Sequence, residues 1–259
     1  MIKKVFVLAN KKIAGIEKEK NRIEKLFKRC GKDVQNSPEG VDLVVTMGGD
    51  GTFLKGVHLI KGSGAILYGI KYGNVGFLAN PVNDIESKLK KVMEGEFRLQ
   101  ERMLLDVVIK KEGKTLRDMC LNEVAIFRKG IRIIDLSVTG SEPVYRRLRC
   151  DGLLISTPTG STAHSLSALG PVISPDVDCL LIVPVCPHTV SWRPAILSSG
   201  EKISVTVSPE AVLSVDGQRE FELSATDAIT VKKSSKSVKI IMDEDSFFGR
   251  LESKFNWGA

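Results

Sequence analysis

The sequence has few residues that could hold a fold together covalently or through a metal ion. It contains five cysteines in 259 residues, an odd number with no CxxC pair. This pattern indicates neither a disulfide framework nor a zinc site, so we expect reduced thiols.

Long apolar runs are also missing. No run approaches the roughly 18 residues that a membrane span needs. The apolar stretch at residues 5–9 ends at Asn10-Lys11-Lys12 and is shorter than the ~7 residues of a secretory signal core. We therefore expect a cytosolic globular protein.

The chain is basic, with a formal net charge of +7 and a pI near 9.1. Nothing in it resembles a nucleic-acid-binding module with interleaved aromatic residues. In residues 17–32 lysines alternate with glutamates, and Ile23, Leu26 and Phe27 supply an apolar stripe. An amphipathic helix explains this segment better than a binding patch does. A modestly positive surface also suits small polyanions such as nucleotides.

The length and the 42% of hydrophobic residues predict one large domain or two modest ones. The first hundred residues alternate between strand and helix patterns, which is typical of an α/β domain. The predicted strands are 3–8, 43–47 and 65–70, and the predicted helices are 17–29, 52–60 and 85–93, the last capped by Asn83 or Asp84.

From about Phe97 the pattern changes to short strands separated by turn signals, which predicts a mostly β region. One helix is expected there at 162–169, closed by Gly170-Pro171. The predicted strands are 103–111, 115–127, 131–140, 153–156, 202–208, 211–218 and 228–233.

Residues 41–60 carry the most informative pattern in the chain. A buried, β-branched strand runs into GGDGT, from Gly48 to Thr52, and apolar residues then follow at helical spacing. Such a turn is either a tight connection or a phosphate-binding loop at a helix amino end. A bare carboxylate, Asp50, would repel a phosphate unless it meets a metal ion or takes a proton. Because neither a P-loop nor a GxGxxG fingerprint is present, the turn predicts phosphoryl transfer with Asp50 as a positioned base.

Three further stretches place polar residues where a core would not need them. Asn122-Glu123 lie side by side in an apolar strand, where a strand-end turn is the alternative. Five hydroxyl residues between Ser156 and Thr162 exceed what a helix cap uses, which favours a ligand site over a cap. The segment VDGQ at 215–218 is most simply a hairpin turn.

Taken together, six motifs resemble the NAD kinase family and occur in its order over most of the chain. The GGDGT element is shared with diacylglycerol-type lipid kinases and resembles the phosphofructokinase loop, whereas NE with TPTGSTA is specific. The six motifs are GGDGTFL at 48–54, GNVGFL at 73–78, NE at 122–123, DGLLISTPTGSTAHSLSALGP at 151–171, PHTVSWRP at 187–194 and DGQ at 216–218.

The resemblance implies a Rossmann-like α/β domain, a β-sandwich-like domain and a chain end that packs on the first domain. Residues 1–97 and 244–259 would form one domain and residues 98–243 the other. The implied reaction transfers a phosphoryl group from ATP or polyphosphate to the 2′-hydroxyl of the adenosine ribose of NAD. Mg²⁺ or another divalent cation is implied, without nameable ligands, as are homodimers or homotetramers. No nucleic-acid or membrane partner is expected.

The resemblance also assigns roles to residues of this sequence. Asp50 resembles the catalytic base, in a turn that cradles the donor's phosphates. Asn122 and Glu123 resemble the pair that fixes the adenosine end of NAD, and Asp151 resembles a residue near the nicotinamide ribose or amide. The other residues that the resemblance places in the phosphate and NAD sites are Gly48, Gly49, Gly51, Thr52, Lys55, Phe77, Arg132, Arg149, Thr162, Ala163, His164, Ser165, Leu166, Ser167 and Gln218.

Two positions depart from the family pattern. His164 stands where the family usually has Tyr, and Lys71 stands where it usually has Asn. The imidazole of His164 either stacks on the ligand or belongs to a partly exposed histidine at a helix start. Two other functions explain part of the sequence: a lipid kinase would share the GGDGT turn, and a non-catalytic dinucleotide sensor would not need Asp50. The donor, and whether NADH is accepted, are left open.

Overall fold

The computed structural model describes residues 2–72, 76–242 and 247–258. Part of the GNVGFL motif, residues 73–75, and part of the expected chain-end segment lie outside these ranges. Two compact units are present: the chain up to Glu101 together with the chain from Val238 onward, and Arg102–Ser237. The sequence placed the boundaries at 97/98 and 243/244. The structural boundaries lie inside β5 (Leu99–Lys111) and β16 (Ala228–Ile241), where a strand pattern continues without interruption.

The first unit is a parallel sheet with helices. β3 is buried at every position, as expected of a central parallel strand. The strand order is β2-β1-β3-β4-β16, and β16 contributes its last residues from Lys239 to Ile241. Its other elements are β1 (Lys4–Ala9), α1 (Ile16–Arg29), β2 (Asp33–Gln35), β3 (Leu43–Gly48), α2 (Asp50–Ile60), β4 (Ile66–Lys71), α3 (Ile85–Glu94) and α5 (Phe247–Phe255).

The second unit is built from short strands. They are β6 (Lys114–Cys120), β7 (Glu123–Arg128), β8 (Ile134–Thr139), β9 (Pro143–Cys150), β10 (Gly152–Ser156), β11 (Cys179–Val185), β12 (Ala195–Ser198), β13 (Lys202–Ser208), β14 (Glu210–Val215) and β15 (Arg219–Ser224). A 3₁₀ helix at Thr159–Thr162 and the short α4 (His164–Ser167) follow β10.

These strands pair antiparallel in two layers. One layer has the order β12-β11-β10-β7-β14-β15, and in the other β16 pairs with β13, β13 with β8 and β8 with β9, with the β5-β6 hairpin on β16. Side chains from both layers, such as Ile126 and Leu153 from one and Leu136 and Val205 from the other, form a shared core. The predicted fold class, an α/β domain followed by a mostly β, sandwich-like one, is confirmed.

One local prediction was wrong and two were right only in part. The helix expected at 162–169 is present but shorter, as α4, because Ala163 just before it has φ −100° and ψ −130°. The strand expected at 115–127 is broken after Cys120, because the next N–H groups donate to the Asp216 carboxylate and not to a neighbouring strand. Asp84 occupies the N-cap of α3, but its backbone is left-handed (φ 53°) and its side chain does not cap the helix.

Several elements were not recognised in the sequence. The strands β2, β9, β11, β12 and β15 and the helix α5 were not predicted. Most of them are short strands or strands with mixed polarity, such as β9 with its three arginines, where period-2 alternation is weak.

Candidate active site

A helix amino end follows the central strand of the first unit. β3 ends at Gly48 and α2 begins at Asp50, with Gly49 as the N-cap. Gly48 is required, because a Cβ atom there would lie 2.3 Å from Oγ1 of Thr52. The first amide groups of a helix lack intrahelical partners, and together with the helix dipole they favour an anion. The turn therefore has the backbone form of a phosphate-binding loop.

Asp50 is held by the backbone of a second loop. Its Oδ2 accepts a hydrogen bond from the Phe77 N–H at 2.5 Å, and its Oδ1 accepts one from the Leu78 N–H at 2.9 Å. Gly76 lies so close that a Cβ atom there would be 2.5 Å from Oδ1 of Asp50. The residue is only partly buried. Asp50 is thus fixed in one orientation and still has acceptor capacity for a substrate.

Helix α5 holds the loop that positions Asp50. Nη1 of the buried Arg250 donates to the Phe77 carbonyl oxygen at 3.2 Å, and Nη2 donates to Oδ1 of Asn80 at 3.3 Å. Phe77 therefore donates its N–H to Asp50 and accepts a hydrogen bond from Arg250 on its carbonyl. Sequence reasoning missed Arg250, because α5 carries no motif that points to phosphate chemistry.

In the second unit, a buried carboxylate organises the break between β6 and β7. Asp216 accepts hydrogen bonds from the backbone N–H groups of Leu121 at 2.8 Å, Asn122 at 2.8 Å and Glu123 at 3.2 Å. The hairpin turn predicted at 215–218 is present between β14 and β15. The turn was predicted, but the use of its carboxylate, which fixes the backbone of the Asn122-Glu123 pair, was not.

The Asn122 and Glu123 side chains carry unused hydrogen-bonding capacity. Oδ1 of Asn122 and Oε2 of Glu123 are buried and have no hydrogen-bond partner among the residues that the structure describes. Burial, with the neighbouring Asp216 carboxylate, raises the pKa of Glu123 to about 8, so this side chain is protonated at neutral pH. A neutral carboxyl and an amide can each donate and accept. The pair suits a ligand that presents donors and acceptors together, since buried polar groups are normally paired.

Several hydroxyl groups of the turn after β10 bond within the protein. Thr157 donates to the Leu121 carbonyl at 2.6 Å, and Ser156 donates to the Asn122 carbonyl at 3.0 Å. Gly160 approaches the same backbone, since a Cβ atom there would lie 2.2 Å from the Asn122 oxygen. These bonds pack the turn against the strand break and so explain part of the hydroxyl excess without a ligand.

For the other residues of this turn, the ligand site stays a prediction. Oγ of the fully buried Ser165 has no hydrogen-bond partner within the described ranges. Thr162 is buried, with its hydroxyl donated to the Thr159 carbonyl at 3.2 Å. Ala163 and Leu166 are half-buried and Ser167 is exposed.

Asp151 and His164 both contact residues at the end of β7. Oδ1 of Asp151 lies 2.7 Å from Nε of Arg128, a residue that no motif had singled out. The exposed ring of His164 stacks on Phe127, with ring centroids 5.3 Å apart and planes 22° apart. The imidazole therefore already has one aromatic partner in its own chain.

The remaining predicted residues are more exposed. Lys55 is exposed on α2, and Arg132 is exposed between β7 and β8. Nε of the exposed Arg149 lies 3.3 Å from Oδ1 of Asp135. Gln218 is half-buried in the hairpin turn. Their assignment to the site stays a prediction.

Two searches of the described part of the chain gave negative results. It contains no group of three or more His, Cys, Asp or Glu side chains that could hold a metal ion. It also contains no helix that is both long enough and apolar enough to cross a membrane.

The fold and these two clusters define a class of protein. A parallel α/β unit presents a carboxylate at a phosphate-binding helix end, and a β unit presents a buried amide and carboxyl pair. This combination is that of a two-domain phosphotransferase acting on a nucleotide.

Comparison with known proteins identifies the family within that class. Residues 2–97 match the ATP-NAD kinase N-terminal domain, and residues 121–242 match the ATP-NAD kinase C-terminal domain. An NAD kinase of Acetivibrio thermocellus is 42% identical over 221 residues, covering 82% of this chain and 76% of the relative. An NAD kinase of Ruminiclostridium cellulolyticum is 33% identical and covers 98% of both chains. The chain belongs to the NAD kinase family.

Solved structures agree with this assignment. The crystal structure of an NAD kinase from Archaeoglobus fulgidus in complex with ATP is similar with a TM-score of 0.82 and 30% identity, covering 96% of this chain and 99% of that one. The structure of yeast NADH kinase complexed with NADH has a TM-score of 0.92 at 21% identity, covering 100% of this chain and 88% of that one, and supports the fold alone.

Proposed function

We propose that this chain transfers the terminal phosphoryl group of ATP to the 2′-hydroxyl of the adenosine ribose of NAD, giving NADP and ADP. The observation that carries the proposal is the Asp50 carboxylate, held by the Phe77 and Leu78 N–H groups at the amino end of α2. Membership of a family whose relatives are named NAD kinases supplies the substrate class.

Asp50 acts on the nucleophile. The 2′-oxygen forms a bond to the terminal phosphorus, the bond from that phosphorus to the bridging oxygen breaks, and ADP leaves with the bond's electron pair. The 2′-hydroxyl proton passes to the Asp50 carboxylate. Because the transition state of phosphoryl transfer is loose, alignment of the hydroxyl contributes more than early removal of its proton. Two fixed hydrogen bonds to Asp50 supply that alignment.

The second unit holds the acceptor in this proposal. Adenine presents an amino donor next to ring acceptors, and the ribose presents hydroxyls, so both require partners that donate and accept. Asn122 and protonated Glu123 have these properties, and their buried oxygens Oδ1 and Oε2 are available. Asp216 contributes indirectly, by holding the backbone of the pair and by keeping Glu123 protonated.

Mg²⁺ or another divalent cation is proposed to enter with the donor. As part of a metal–nucleotide substrate, the cation would keep most of its own waters. No residue of the chain is assigned to it.

The test is a donor and acceptor panel with purified protein. Product from NAD is identified by ³¹P NMR as a 2′-phosphomonoester, with ATP, other triphosphates and polyphosphate as donors and with NADH as a second acceptor. Diacylglycerol is assayed in parallel, because a lipid kinase would share the glycine turn. Phosphate on the lipid and none on NAD would overturn the proposal, and tight NAD binding without turnover would favour a dinucleotide sensor.

Assembly and location are part of the same proposal. A homodimer or homotetramer is expected and is measured by light scattering at several protein concentrations. A cytosolic location is expected and is checked by cell fractionation.

A further inference from the structure

Helix α5 places a lysine beside the catalytic turn. Nζ of Lys254 lies 4.7 Å from the ring centroid of Phe77, the residue whose N–H holds Asp50. This geometry is a cation–π contact. The Nζ atom is buried and has no hydrogen-bond partner in the part of the chain that the structure describes. An ammonium has three donors and no acceptor, so this position suits a ligand rich in anionic oxygens.

The position of Lys254 is fixed by its own helix. The Phe77 ring packs against Phe247 and Phe255, with centroid distances of 5.6 Å and 6.4 Å. Arg250, one turn before Lys254, donates to the Phe77 carbonyl. Aromatic and polar contacts thus join α5 to the loop that orients Asp50.

The charged groups around Lys254 come from three elements. They are Asp50 on α2, Lys71 at the end of β4 and Arg250 on α5. Burial lowers the pKa of Lys254 to about 8, helped by Arg250 and Lys71 and opposed by Asp50. Among the described residues, the three cations Lys254, Lys71 and Arg250 outnumber the single Asp50 carboxylate, and a polyphosphate would neutralise this excess of positive charge.

We propose that Lys254 binds the phosphate donor, with its ammonium on the anionic oxygens of the donor's terminal phosphates beside Asp50. The proposal rests on the proposed function and extends it to a residue of the C-terminal helix. Charge accumulates on these oxygens as the phosphoryl group moves, so a fixed cation stabilises the transition state as well as the bound donor.

The test compares three variants of the full chain. Lys254→Met keeps the length of the side chain and removes its charge, Lys254→Arg keeps the charge, and Lys25→Met removes a charge from an exposed position on α1. Calorimetry without NAD gives the affinity for Mg–ATP, and kinetics give KM for each substrate. We expect Lys254→Met to weaken ATP binding about tenfold or more with KM for NAD unchanged. Lys254→Arg should lose less, and Lys25→Met should match wild type.

The pH dependence of ATP affinity distinguishes donor binding from a purely structural role, because a structural role would not produce it. The donor binds the ammonium form, so ATP affinity of the wild type should fall as pH rises above about 8, the pKa of Lys254. Lys254→Arg stays charged and should remove this fall, and Lys254→Met should lack it while binding weakly throughout.

The outcomes separate the two proposals. If the wild type phosphorylates NAD but Lys254→Met binds ATP normally, the assignment of Lys254 is wrong and the kinase proposal stands. If Lys254→Met weakens ATP and NAD equally and lowers the melting temperature, the residue is structural and the assignment is again wrong. If the wild type does not phosphorylate NAD, the proposed function fails.

Discussion

Asp50 in the first unit and Asp216 in the second are both carboxylates held by backbone N–H groups, and comparing them shows what decides the role of each. Asp50 accepts two such hydrogen bonds and is only partly buried. Asp216 accepts three and is 4% exposed. The oxygens of Asp216 accept hydrogen bonds from the protein itself, whereas Asp50 keeps lone pairs that a substrate can reach. Backbone N–H groups thus hold a structural carboxylate, Asp216, in the second unit and a reactive carboxylate, Asp50, in the first.

A third carboxylate, at the surface, serves as a control for the other two. The exposed Asp42 accepts hydrogen bonds from the N–H groups of Lys3 at 2.7 Å and Lys4 at 2.8 Å. These two bonds hold the pKa of Asp42 below its usual range. Asp42 accepts two backbone hydrogen bonds, as Asp50 does, but both fall on its Oδ2 and no glycine turn surrounds it. Unlike Asp216, it is exposed.

The largest expected effect is on turnover when Asp50 is changed. Asp50→Asn should lower kcat by about 10³-fold, within the range for loss of a general base. An amide cannot accept the proton, and its NH2 group would face the Phe77 or Leu78 N–H and disturb the alignment. NAD affinity should stay within a few-fold, since the acceptor is held by other residues. Steady-state kinetics and calorimetry measure both, with Asp42→Asn as the matched control. Turnover equal to wild type would remove Asp50 from the mechanism.

The next effect is on stability when Asp216 is changed. Asp216→Ala leaves three N–H groups without their acceptor, and each buried unsatisfied group costs about 1–3 kcal/mol, so we expect a loss of about 3–5 kcal/mol. Asp42→Ala should cost about 1 kcal/mol, because water replaces the exposed carboxylate. Urea unfolding measures both. Equal losses would mean that burial does not distinguish the two sites.

The same comparison shows which features a sequence can reveal. Asp50 was predictable because a buried strand, three glycines and helical spacing are contiguous within residues 41–60. Asp216 was predicted only as part of a hairpin turn, since its partners lie 93 to 95 residues away in the chain. Arg250 and Lys254 contact Phe77, more than 170 residues earlier. Such long-range contacts leave no local pattern.

The fold, too, was predictable where the signal is local. The alternating α/β half and the β-rich half were predicted and confirmed, because local periodicity encodes them. The helix expected at 162–169 was predicted too long, because the backbone of Ala163 (φ −100°, ψ −130°) is not helical and α4 begins only at His164. The roles of the site residues stay predictions until they are tested.

A further effect on stability depends on pH. Folded Glu123 keeps its proton to about pH 8, whereas the unfolded chain releases it near pH 4.5. The folded state therefore binds more protons between these values, and stability should fall as pH rises through this window, by up to about 1.4 kcal/mol per pH unit. Glu123→Gln removes this slope. Urea unfolding at pH 5, 6.5 and 8 measures it, with exposed Glu17→Gln as the control. Parallel curves for wild type and Glu123→Gln would contradict the protonated carboxyl.

The smallest effect is expected at His164, where the chain departs from its family. Its ring already stacks on Phe127, so a flat ring at this position has a platform that sets its plane. If the ring also contacts the bound dinucleotide, His164→Tyr should bind NAD as tightly as wild type or a few-fold more tightly. His164→Ala should bind about 3- to 10-fold more weakly, the value of one aromatic contact of roughly 0.5–1.5 kcal/mol. Titration calorimetry between pH 5.5 and 8.5 measures all three proteins. Equal NAD affinity of wild type and His164→Ala over this range would make His164 a surface residue that only covers Phe127.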